Sequence, residues 1–358
     1  MTILRTLTPW RWLALLLCAI ALPLQAADYP APKSGQWVIK NFRFQSGEVL
    51  PELRLGYLTV GEPTGEPVLI LHGTGGSARG MLNPAFAGEL FGPGQPLDAA
   101  RHYVILPDAI GAGASSKPSD GLRMAFPKYN YEDMVRAQHA LVSEHLGVKK
   151  LKLVLGNSMG GMHTWLWGVM YPEAARNLVP LASMPLEVAG RNWMTRRMLI
   201  ETIKRDPEWH GGNYTRQPGN LRIAQLFFSV ATAGGTQGLH QIGPTREKAD
   251  AWIDQQFAAP GSADANDLIY QFEASRGYNP SPQLERIQAR VLAINSADDE
   301  RNPPELMEVM KAEVQKVRAM AIYMIPASAD TRGHLTTGQA RWWKRQLQDF
   351  LSQDAAGR

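Results

Sequence analysis

The stretch Gly156-Asn157-Ser158-Met159-Gly160 constrains this chain more than any other part of it. An apolar, β-rich run, Leu151-Leu155, leads into it, and a helical pattern with Met162, Leu166 and Met170 leads out. A strand that turns into a helix within so few residues needs its glycines. The serine at the apex takes a strained backbone conformation, and the helix must pass close to the strand.

The surrounding sequence alternates short β-rich runs with longer helical patterns, as expected of a mostly parallel sheet flanked by helices. The clearest strands are 53–60, Val68-His72, Tyr103-Pro107, Leu151-Gly156, Leu178-Ser183, Val291-Asn295 and Ala319-Ile325. The strongest helical patterns are 131–146, 159–170 and 338–352. Between 186 and 285 the alternation stops, and helical segments are broken at Pro207, Gly211-Gly212, Pro218-Gly219, Gly234-Gly235 and Pro260-Gly261. This segment reads as a helical cap inserted before the penultimate strand. The expected units are therefore a leader at 1–26, a first core part at 27–185, the cap at 186–285, and a second core part at 286–358.

A serine between strand and helix in this way is the nucleophile of the α/β-hydrolase fold, which sets where its partners should lie. The base should follow the last strand, and of eight histidines His334 does so, in Gly333-His334. His210 and His240 fall in the cap, and His72, His102, His139, His145 and His163 read as structural. The acid should lie after Val291-Asn295, where Asp298, Asp299 and Glu300 are candidates. The spacing to Pro303-Pro304 favours Asp299, with Asp298 and then Glu300 left open. Its task is to accept from the imidazole Nδ1–H and stabilise the imidazolium that forms.

The loop His72-Gly73-Thr74-Gly75-Gly76 follows a strand where this fold supplies an oxyanion donor, so Met159 N–H and Thr74 N–H are the expected pair. No Gly-Lys-Ser/Thr follows these glycines, which excludes a phosphate loop. Gly111-Ala112-Gly113 after Asp108 reads as a tight loop beside the site. No His, Asp and Glu cluster at metal-ligand spacing, so neither metal nor cofactor is expected. The cap residues Trp193, Met194, Met198, Trp209 and Tyr214, with Met162, Trp165 and Trp167, fit an apolar acyl pocket or ordinary core packing. Substrate-binding residues stay unassigned.

The first 26 residues carry Arg5 and Arg11, an apolar run Trp12-Leu24, and Leu24-Gln25-Ala26 as a cleavage site. That is an export signal rather than an anchor, since a span needs about 20 apolar residues. Cys18, the one cysteine, lies inside it, so the mature chain has no thiol chemistry. The net charge of +4 gives no electrostatic footprint for nucleic acid. The expected partner is a small-molecule ester in the periplasm or outside the cell, with no stable membrane anchor after cleavage. A homodimer is left open.

Several motifs together resemble the homoserine O-acetyltransferase family. They are Phe91-Gly92-Pro93-Gly94 through Leu97-Asp98, Met134-Val135-Arg136-Ala137-Gln138, Gly156 to Met162 with Tyr171-Pro172-Glu173, Asp206-Pro207-Glu208-Trp209 with Gly212 and Tyr214, Asp264-Ala265-Asn266, and Asp299 ahead of Pro303-Pro304. The resemblance covers roughly residues 50–340. It implies the same fold, a helical lid and an acyl-serine on Ser158, and supports Asp299 and His334. In that family an aspartate after Gly-His helps hold the amino group of homoserine, whereas Leu335 stands here. The arginine expected to hold the carboxylate falls at Ile200, with Arg196 or Arg197 one turn away. The expected activity is hydrolysis of a carboxylic ester through acyl-serine. Acyl transfer to an alcohol is the alternative enzyme reading, and a non-catalytic binding protein on the same scaffold the alternative outside enzymes.

Overall fold

The computed structural model describes residues 28–356 apart from 260 and 262, so the 1–26 segment read above as an export signal lies outside the described residues. Eight strands form one sheet: β1 Lys33–Arg43, β2 Val49–Val60, β3 Glu66–Leu71, β4 His102–Pro107, β5 Leu151–Asn157, β6 Ala175–Leu181, β7 Arg290–Ser296 and β8 Met320–Ile325. Their order is β1-β2-β4-β3-β5-β6-β7-β8. The β1–β2 and β2–β4 pairs are antiparallel and the rest parallel. The carboxyl ends of β3, β5, β6, β7 and β8 therefore share one edge, where ligands bind in open α/β sheets.

The helices are α1 Ala87–Leu90, α2 Tyr131–Ala140, α3 Met159–Met170, α4 Gly190–Lys204, α5 Asn220–Thr232, α6 Thr236–Ile242, α7 Arg246–Ala258, α8 Ala265–Glu273, α9 Pro304–Val314 and α10 Lys344–Ala356. Strand β5 is apolar from Leu151 to Leu155 but for Lys152, which pairs with Glu66, because both of its faces are covered. Leu151 and Val154 pack with α2 and α3 on one face, while Leu153 and Leu155 pack with Trp343, Leu347 and Phe350 on the other. A strand covered on both faces has no polar side to show.

Helices α4 to α8 all lie between β6 and β7, with no strand among the described residues there. They carry their own apolar cluster, including Leu199, Ile200, Ile203, Leu221, Phe228, Leu268 and Phe272. No described helix is long and apolar enough to cross a membrane.

The structure moves several boundaries. The pattern over 131–146 is an α-helix only to Ala140, opened by an Asn130–Asp133 capping box, and continues as a π-turn over Leu141–His145. The wider turn keeps Leu141 and Val142 buried, so the apolar spacing survives the change of helix type. Strand β6 is shifted toward Ala175 and ends at Leu181, because Ala182 takes φ 46°. Two 3-10 turns precede α10, which starts at Lys344 rather than 338. Strand β1 has no counterpart in the sequence reading. Its edge position leaves Gln36, Lys40 and most neighbours partly or fully exposed, so its apolar run is only Trp37-Val38-Ile39.

Candidate active site

Ser158 heads α3 at the carboxyl end of β5, with φ 57° and ψ −113°. That conformation is costly for a residue with a side chain, and the two flanking glycines are what permit it. A Cβ on Gly156 would lie 2.1 Å from the Gly160 carbonyl oxygen, and one on Gly160 would lie 2.1 Å from that of Leu71. Helix and strands thus pass in direct backbone contact and hold the serine at the apex.

His334 lies in the loop after β8, 176 residues from the serine, with its Nε2 at 2.8 Å from Ser158 Oγ. Its Nδ1 is 2.9 and 3.0 Å from the two Asp299 carboxylate oxygens. A carboxylate accepts only, so Nδ1 carries the proton and Nε2 accepts from the serine hydroxyl. All three residues are buried, at 6% exposed for Ser158, 5% for His334 and 1% for Asp299.

The three acids that sequence spacing left open take different partners. Asp299 reaches the imidazole, and also accepts from the N–H groups of Arg301 and Asn302 and from Asn302 Nδ2. Asp298 accepts from Ser296 Oγ, Thr331 Oγ1 and the Gly333 N–H. Glu300 accepts from the His334 and Gly235 N–H groups. Asp298 and Glu300 therefore hold the backbone of the histidine loop, not the ring.

Electrostatics suit a neutral base. Burial lowers the His334 pKa below the ordinary histidine range, with Asp299 opposing and the Arg301 charge adding to the drop. For Asp299, burial alone would raise the carboxyl pKa. The His334 charge and the hydrogen bonds from His334, Asn302 and Arg301 outweigh that and hold it below the usual value.

Thr74 and Met159 flank the serine. A Cβ on Gly73 would sit 3.4 Å from Ser158 Cβ, so the 72–76 loop passes beside Ser158. Among the described residues, no hydrogen bond uses the N–H of Thr74 or of Met159, the latter one of the unpaired donors of a helix start. Two side chains hold this loop. His72 Nδ1–H donates to Gly73 O at 2.8 Å while Nε2 accepts from the Ala109 N–H at 3.0 Å. Gln271 of α8 accepts from the Gly75 N–H at 3.1 Å and donates to Gly111 O at 2.5 Å, tying the cap to both glycine loops. Gln271, like Asn302, gave no signal in sequence, because a glutamine in a helix matches no motif.

A cleft of about 710 Å³ opens beside the acid loop, with Met162, Met184, Leu186, Arg301, Asn302 and Leu306 among its walls. Of the aromatic and methionine residues noted in sequence, Met162 alone lines it. Trp165 and Trp167 are buried in the core, Trp209 donates to Asn266 Oδ1, Tyr214 accepts from the Asn266 N–H, and Met194 and Met198 are exposed. Trp193 lies under the Arg276 guanidinium. Leu335 is 54% exposed, and Ile200 is sealed in the cap cluster.

Comparison with known proteins agrees with this architecture. The sequence model of the α/β hydrolase fold family matches residues 66–324. A homoserine O-acetyltransferase of Haloferax gibbonsii is 35% identical, with 89% of each chain covered. One from Thermobifida fusca is 33% identical over 68% of this chain and 71% of its own. The solved structure of the acetyl esterase MekB superposes with a TM-score of 0.77 at 21% identity, covering 89% of this chain and 97% of that one. The chain therefore belongs to the α/β-hydrolase fold family, among the relatives of homoserine O-acetyltransferase, and is a serine esterase or a related acyltransferase.

Proposed function

We propose that the protein hydrolyses carboxylic esters through an acyl intermediate on Ser158, with His334 as base and Asp299 as the acid that orients it. Ser158 Oγ attacks the ester carbon as its proton passes to His334 Nε2. The oxyanion that forms is held by the Met159 and Thr74 N–H groups, each such donor being worth about 3 kcal/mol. The imidazolium then gives its proton to the departing alcohol. A water, deprotonated by the same nitrogen, attacks the acyl-serine, and collapse releases the free acid and restores Ser158.

Hydrolases and acyltransferases of this fold share that intermediate, so the choice rests on what accepts the acyl group. The observation favouring water is that the positions expected to grip homoserine carry no free charge. Leu335 offers no charge where an acceptor ammonium would be held, Ile200 is buried in apolar packing, and Arg197 is paired with Glu201 and Glu273. Rejecting a polar substrate follows when its groups would lie unpaired. The second reading, transfer of an acyl group to an alcohol, is favoured by the activity in the names of the relatives. Export supports hydrolysis: outside the cytoplasm a thioester donor such as acetyl-CoA is not expected.

The test is a panel of esters of graded chain length on protein starting near Ala27, with and without acetyl-CoA and homoserine. Free acid release without acetylation of homoserine is expected. Robust homoserine-dependent release of CoA would overturn the hydrolytic reading, and failure of a fluorophosphonate to label Ser158 would point to a non-catalytic role. Retention of the full-length chain in the cytoplasm would remove the export reading.

The acidity of His334 gives a pH dependence with a definite sign. The base works only when neutral, and burial disfavours its charged form, so activity is full above its lowered pKa and falls as pH drops through it. The acid limb of kcat/KM should be centred below about 6.5, the ordinary histidine value. A limb centred above that value would show that the imidazolium is favoured, contrary to the burial argument.

A further inference from the structure

Thr74 sits in a tight turn whose two peptides are held by different parts of the molecule. The Gly76 N–H donates to Gly73 O at 3.0 Å, and Gly75 has φ 74°. A positive φ at the third residue is what a type II turn requires, and glycine supplies it cheaply. His72 Nδ1–H donates to the same Gly73 oxygen, so the first peptide of the turn is held twice. Turn types I and II differ by rotation of the central peptide, here Thr74–Gly75. Its N–H is held by Gln271 Oε1 at 3.1 Å.

Gln271 reaches this turn from the cap. Along α8, Leu268, Ile269 and Phe272 pack into the cap's own apolar cluster. Asp267, Tyr270 and Gln271, spaced so as to share a helix face, bond to the core instead. Asp267 accepts from the Ser119 N–H and hydroxyl, and the Tyr270 hydroxyl donates to the carbonyls of Met124 and Phe126. Those contacts dock the cap on loops that carry no oxyanion donor, whereas Gln271 touches the turn that does. Gln271 is 8% exposed, and its Nε2–H donates to Gly111 O at 2.5 Å. Both ends of the amide are engaged, so the side chain cannot swing away without unpairing a buried carbonyl.

We infer that Gln271 is a positioning residue for catalysis: it holds the Thr74–Gly75 peptide so that the Thr74 N–H faces the oxyanion formed at Ser158. This rests on the acyl-serine reading of the site and is the same whether water or an alcohol takes the acyl group. A hydrogen-bond donor stabilises a developing charge best when it is already in place before the charge forms. Released from Gln271, the central peptide can flip and tilt Thr74 off line, while the ester binds as before. The oxyanion turn is thus complete only with α8 seated on the core.

The test measures kcat and KM for p-nitrophenyl acetate, and Ki for a trifluoromethyl alkyl ketone, whose adduct with Ser158 places a negative oxygen in the same hole. Gln271→Met keeps the length of the side chain and removes both bonds. It should lower kcat by about ten- to a hundredfold, less than loss of a whole donor, leave KM little changed, and raise the ketone Ki in proportion. Tyr270→Phe removes a cap-to-core contact without touching the turn, so it should lower the unfolding temperature and leave kcat as in the wild type. If Gln271→Met does not fold, Gln271→Leu takes its place. Wild-type kcat in the Gln271 variant overturns the positioning role. So does a rise in KM at constant kcat, which would make Gln271 a substrate-binding residue, or an equal loss of kcat in Tyr270→Phe, which would make it one more cap contact. Wild-type protein that neither turns over the ester nor takes a fluorophosphonate at Ser158 ends the acyl-serine reading and this role with it.

Discussion

Ser158→Ala and His334→Ala are each expected to lower kcat on a simple ester by about a million-fold, because nucleophile and base act as a unit and losing either removes the activated oxygen. The double variant should be scarcely worse than either single one, for the same reason. Neither change empties the core. Both side chains are small contributors to packing at the edge of the sheet, and their one mutual hydrogen bond, 2.8 Å long, is lost in either case. The thermal unfolding transition should therefore stay cooperative, and circular dichroism melts of the variants check that. Appreciable turnover by well-folded Ser158→Ala protein would sink the mechanism.

Asp299→Asn is the second large effect expected, about 10⁴-fold in kcat, since an amide facing Nδ1 favours the wrong histidine tautomer. Asp298→Asn should cost far less, about tenfold, because its carboxylate touches no ring atom. It accepts instead from Ser296, Thr331 and Gly333, so the loss should appear mainly as a looser histidine loop and about 1 kcal/mol of stability per weakened bond. Parallel measurement of kcat and of denaturant midpoints separates the two cases. The reverse ranking in kcat would transfer the orienting role to Asp298 and leave the class of enzyme unchanged.

The legible parts of the site are those set by short-range geometry. Between Leu151 and Met170 the apolar run, the glycines and the helical spacing specify strand, turn and helix within twenty residues, and the structure places Ser158 at that apex. The position of His334 followed from chain order, because each strand of a doubly wound sheet delivers its loop to one edge. Boundaries were less legible. The π-turn at Leu141–His145 keeps the same residues buried as an α-helix would, so apolar spacing does not distinguish them. Strand β1 carries little apolar signal because an edge strand needs little.

The sequence by itself determined the fold class and the chain order of Ser158, the acidic loop after β7 and His334, since both follow from periodicity and from backbone conformations that glycine alone tolerates cheaply. Tertiary structure decided which of three neighbouring acids faces the imidazole. Asp298, Asp299 and Glu300 are alike in charge and adjacent in the chain, and the turn after β7 sends them in different directions. It likewise decided that Gln271 from the cap meets Gly75, and that Arg196 and Arg301 converge on one pair of phenylalanine rings. These contacts join residues 73 to 196 positions apart, and no local pattern records them, because the free energy that brings such segments together is spread over the whole cap and sheet rather than written in the residues that meet.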